Sequence, residues 1–139
     1  MRTILTFICL FIFSWVTAQD NEQIASPVIV TKVGIGQEIT FDGITIYFKE
    51  VLEDSRCPSG VTCIWAGQAK VVIEVKEKGK LLSQKEIIFG QTKEGEITNK
   101  TLFDYGNYRL KAFSIEPYPE YEKITDVTTY TLLVYKEKK

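Results

Sequence analysis

Two cysteines, Cys57 and Cys63, lie with five residues between them inside DSRCPSGVTCIWAG, the stretch from Asp54 to Gly67. No other part of the chain brings so many chemically capable residues so close together. The spacing is too wide for a C-x-x-C redox motif, and in an exported protein the default chemistry of such a pair is a disulfide. Closing a loop of seven residues stabilises the fold by about 2.4 kcal/mol in the chain-entropy account and stiffens the corner locally. Asp54 and Ser55 precede the loop, where their side chains can accept from the backbone N–H groups of a turn. Arg56 either pairs with Asp54, a bond worth little if exposed, or reaches a ligand anion. Trp65 either packs into the core or stacks on a ligand. Tyr118, in a distant proline-rich stretch, completes a binding set of Asp54, Arg56, Trp65 and Tyr118.

Other chemistries lack their residues. There is no histidine in the chain, and nucleophilic triads, acid–base catalysis near neutral pH and most transition-metal sites depend on imidazole. With both cysteines oxidised, thiolate catalysis and zinc binding lose their ligands as well. Carboxylate chemistry remains, as in glycoside hydrolysis by two acids on either side of the scissile bond. Glu53, Asp54, Glu116, Glu120 and Glu122 are the candidates for such a pair. No D-x-D-x-D-G calcium loop occurs, and no metal or cofactor is expected.

The chain opens with MRTILTFICLFIFSWVTA, in which Arg2 precedes an apolar run ending in Val16-Thr17-Ala18. This pattern reads as a secretory signal peptide over residues 1–18. The run is too short to span a bilayer, and no later stretch is apolar enough to try. Cys9 lies inside the run rather than after it, which argues against a lipid anchor. Export of the remainder is therefore expected. The remainder, residues 19–139, suits a single domain burying roughly 65% of its unfolded surface. Losing Arg2 takes the net charge from −1 to −2, with both signs interspersed, so neither nucleic acid nor an anionic membrane is an expected partner.

Short runs rich in Val, Ile, Thr, Tyr and Phe alternate apolar with polar residues, and this period of two predicts strands. Asp42-Gly43 divides Gln37–Leu52 into a hairpin, and Lys78-Gly79 joins Lys70–Glu77 to Leu81–Phe89, since these pairs accept the positive φ that tight turns need. A third pairing links Tyr108–Glu116 to Val127–Tyr135. The intervening EPYPEYEKIT is a connection, because its prolines cannot donate to a ladder. With Val28–Val33 and Ile97–Phe103 the count reaches seven or eight strands, predicting an all-β fold, an antiparallel sandwich or small barrel. An unbroken strand from Val61 points Trp65 inward with Val71 and Ile73; a bulge at Ala66-Gly67 turns it outward. Tyr105, Tyr108, Tyr118 and Tyr121 fall near predicted strand ends, either as half-buried packing or as an exposed stacking patch. Asn99-Lys100-Thr101 matches a glycosylation acceptor, relevant only in a eukaryotic source.

Together, EDSRCPSGVTCIWAGQA (Glu53–Ala69) and the late IEPYP (Ile115–Pro119) resemble a group of small exported bacterial proteins, some of them lipoproteins. Members carry a D-S-R-C-P, C-x-W-A-G core followed by a strand. The resemblance implies a bacterial envelope or secreted setting and carries over no catalytic residue. The leading expectation is an exported binding or accessory module for a protein or glycan ligand. A carboxylate-dependent glycan-acting enzyme is the second reading. An inhibitor presenting Arg56-Cys57-Pro58 to a protease is the third.

Overall fold

The computed structural model describes residues 27–139; the expected leader and residues 19–26 lie outside the described residues. Eight strands follow in order: β1 (Val30–Gly34), β2 (Glu38–Phe41), β3 (Ile44–Asp54), β4 (Gln68–Glu77), β5 (Lys80–Gly90), β6 (Thr101–Asp104), β7 (Tyr108–Glu116) and β8 (Thr131–Lys138). They build two antiparallel four-stranded sheets, β1-β8-β7-β6 and β2-β3-β4-β5. The fold is a β-sandwich.

The period-two pattern decides what fills it. Ile44, Ile46 and Phe48 of β3 and Ala69, Val71, Ile73 and Val75 of β4 are buried; they join Leu110, Ala112, Leu132 and Val134 of the facing sheet in one cluster. Each large aliphatic side chain so buried contributes about 1.5–3 kcal/mol. Two of the hairpins turn where the sequence predicts. Asp42 and Gly43 adopt φ of 47° and 88°, and Lys78 and Gly79 adopt 49° and 80°, the two successive positive angles of a turn whose twist matches its strands.

The registers sort the connections by length. Asp54 lies opposite Ala69, Gln68 opposite Gly90, and Glu116 opposite Thr131. The long loops 55–67, 91–100 and 117–130 therefore leave from one end of the sandwich. The opposite end holds the two tight turns and the short link 105–107.

Three expected boundaries move. The strand from Val61 is not continuous: β4 begins at Gln68, because the backbone breaks at Gly67 with φ of 73°. Trp65 accordingly faces away from the core and is 37% exposed. Val127–Thr129 forms a 3-10 turn instead of starting the last strand, since the Asp126 side chain accepts from Thr128 N. The stretch Ile97–Phe103 yields only β6, from Thr101. Among the described residues no helix is long and apolar enough to cross a membrane.

Candidate functional site

The disulfide loop continues the β3–β4 pairing beyond its ladder. Ser55 N donates to Gln68 O at 2.8 Å and Cys57 N to Ala66 O at 2.9 Å. The two arms approach so closely at Gly67 that a Cβ there would lie 1.8 Å from Ser55 O. Only glycine fits both this contact and the positive φ. The Cys57–Cys63 disulfide closes the tip, with Cα atoms 5.9 Å apart. Ser55 contributes as a turn residue, its hydroxyl donating to Glu53 Oε1 at 2.7 Å.

Arg56 points the other way and is buried, 8% exposed. Its Nε and Nη2 donate to the two carboxylate oxygens of Asp54 at 2.8 and 2.6 Å. Nη1 donates to Ile115 O at 3.1 Å and Nη2 also to Pro117 O at 2.9 Å. These carbonyls, Ile115 near the end of β7 and Pro117 just past it, lie beyond the reach of β6, which begins at Thr101 opposite Lys111. The guanidinium thus donates where the N–H groups of a neighbouring strand would. Tyr130 OH donates to Asp54 Oδ2 at 2.7 Å, and the Tyr118 ring lies 4.9 Å from Arg56 Cζ. Arg56 therefore pairs with Asp54, and because the pair is buried and bidentate, the condition under which it would be worth little does not hold.

The ionisation states follow from that geometry. Burial pushes the Asp54 carboxyl up, but hydrogen bonds from Arg56 and Tyr130, with the Arg56 charge, outweigh it and hold the group below its usual value. The Tyr130 phenol is pushed up to about 12, first by burial and then by its bond to Asp54.

The second loop docks on the first. Ser59 N donates to Pro119 O at 2.9 Å, and Tyr121 N to Ser59 O at 3.2 Å. The D-S-R-C-P and I-E-P-Y-P segments, some sixty residues apart in sequence, are one structural unit. Around it Val61, Ile64, Trp65, Tyr118, Tyr121 and Ile124 remain exposed. Beside it lies a recess of about 480 Å³ lined by Arg56, Gly67, Phe89, Lys100, Phe113 and Tyr118.

Of the sequence-predicted site residues, the structure joins Asp54, Arg56 and Tyr118 directly and sets Trp65 on the returning arm of the loop that holds Arg56. Tyr130, Phe89, Lys100 and Phe113 were missed. Tyr130 and Phe113 read as ordinary strand residues, and nothing local distinguishes them. The five candidate acids do not converge. Glu53 bonds Ser55, Asp54 clasps Arg56, Glu116 pairs with Lys32 at 2.9 Å and Glu120 with Lys123 at 3.1 Å. Glu122 sits in a turn with φ of 60°. Glu53 is also held below its usual range, chiefly by the Ser55 hydroxyl, the reverse of what a general acid needs. Arg56 is enclosed, so the inhibitor reading loses the side chain it would present.

Fold and site together define a disulfide-stapled β-sandwich whose long loops are fused at one end. No family model matches the chain, and neither curated proteins nor solved structures offer a match.

Proposed function

We propose that this chain is an exported binding module whose ligand surface is the loop end of the sandwich. The observation that carries this reading is the fusion of two long loops, through the Asp54–Arg56 clasp and the Ser59 docking, into one rigid surface that leaves Trp65, Tyr118 and Tyr121 exposed. Exposed aromatic and aliphatic side chains grouped on a rigid support are the usual makings of a recognition surface. Loops held at one end of a sandwich are where such folds place it. The signal-peptide pattern and the envelope setting implied by the sequence resemblance supply the compartment, and a protein is the favoured partner. Aliphatic groups as exposed as Ile64 and Ile124, at 110% and 96%, add nothing to sugar stacking.

A photo-crosslinking residue in place of Tyr121, in the cells that make the protein, tests the surface against the same residue in place of Lys78 at the tight-turn end. Discrete adducts from position 121 alone are expected. Equal labelling at both positions, or none at 121, rejects the loop end as the ligand surface.

A further inference from the structure

We infer that the recess beside the clasp is a seat for a carboxylate carried on an aromatic or apolar body, such as a small aromatic acid or the free C-terminus of a peptide. This rests on the binding reading above and names the chemistry of its ligand. Three features of the recess agree. Its walls are apolar: Phe89, Phe113 and Tyr118 line it, and the last two are half exposed. Its charge is unbalanced, because Lys100 has no ion-pair partner among the described residues, and its ammonium lies 5.2 Å from the centre of the Phe89 ring. The one carboxylate lining the recess, Glu116, is already bridged to Lys32.

Arg56 supplies the third feature. A guanidinium carries five N–H donors. Four are used, on Asp54, Ile115 and Pro117. The fifth, on Nη1, has no acceptor among the described residues, and the side chain lines the recess while held rigidly by its other bonds. A buried, preorganised donor and an unpaired ammonium lining one recess favour an anion, and the aromatic walls favour a flat or apolar body behind it. A cationic or uncharged ligand would leave Lys100 uncompensated.

N-acetyl-phenylalanine and its amide are the probes, read by amide chemical shifts of the folded mature protein. The acid should move the Lys100, Phe113 and Ser114 signals and bind about tenfold tighter than the amide. Lys100→Gln should remove that difference while leaving the amide unchanged, and Lys100→Arg should restore it. A tetrapeptide ending in phenylalanine with a free carboxylate separates the two sources: binding as tight as the small acid assigns a chain end, and weaker binding a small molecule. Equal binding of acid and amide, shifts away from the recess, or no shift at millimolar probe overturns the proposal. None of those outcomes touches the crosslinking result at position 121, so the two readings fail separately.

Discussion

Arg56 does at the residue scale what no other side chain could do in its place. Its planar fork serves both oxygens of Asp54 and two backbone carbonyls at once. An ammonium offers three donors from one point and cannot reproduce that spread. Removing one partner of a buried pair leaves the other charged and uncompensated, at a cost of about 3–5 kcal/mol. Arg56→Ala should lose that much in urea unfolding, and Arg56→Lys should recover less than half. Full recovery by lysine would mean the charge alone matters. The acid dependence has a definite sign. The folded Asp54 carboxyl is depressed, so its contribution is complete above the unfolded value of about 3.9 and disappears as pH falls through the lower folded value. Asp54→Ala should therefore be less stable than the parent protein at pH 7, with the gap closing below about pH 4, as followed by melting temperature against pH. A gap independent of pH would place the loss in packing. The local half of this clasp was legible in the sequence, because Asp54 and Arg56 are two residues apart. Its remote half, Ile115, Pro117 and Tyr130, could not be read, since backbone carbonyls carry no side-chain signature and Tyr130 lies 76 residues from Asp54.

Strands and turns were the legible elements, because alternation and positive-φ turn pairs are local. The break at Gly67 was legible only as a choice between registers, because it depends on the carbonyl of Ser55 on the opposite arm of the loop. Gly67→Ala should be among the most damaging substitutions in the protein. It combines strained backbone with a contact that no rotation relieves, and circular dichroism should show a largely unfolded chain or a melting temperature many degrees lower. Normal stability would contradict the close approach. The edge strand β5 carries a different device. Lys85 pairs across from Ile73, on the inner face, and its ammonium donates to Thr101 O at 2.9 Å. An inward-pointing charge at a sheet edge discourages a second chain from pairing there. Lys85→Val should raise self-association, visible by sedimentation at concentrations where the parent protein is unchanged. A variant that sediments like the parent would show that the charge does not guard the edge.

Each end of the described sandwich is closed by an aspartate at an end of β3, Asp42 just before it and Asp54 as its last residue, each bonded to a tyrosine from the β7–β8 half. At the tight-turn end Asp42 accepts from Tyr108 OH and, at 2.7 Å, from Lys136 Nζ, while Tyr105 OH reaches Phe41 O at 2.8 Å. At the loop end Asp54 is the hub, and the disulfide lies outside it. Arg56 precedes Cys57, and its bonds run to Asp54, to Ile115 in β7 and to Pro117 just past it, none to the disulfide tip. The disulfide instead constrains the segment that docks through Ser59 onto Pro119 and Tyr121. Reduction should therefore separate surface from scaffold. Opening the seven-residue loop removes about 2 kcal/mol in the chain-entropy account, yet the sheets and the clasp have no covalent dependence on it. Far-ultraviolet circular dichroism should be unchanged by dithiothreitol, while quencher access to Trp65 rises. In a chain prepared from Gln19 onward, Trp65 is the only tryptophan reporting. Crosslinking from position 121 should fall in the same reduced sample. If reduction abolishes the strand signal instead, the staple belongs to the folding core, and the loop end is not a separable recognition surface.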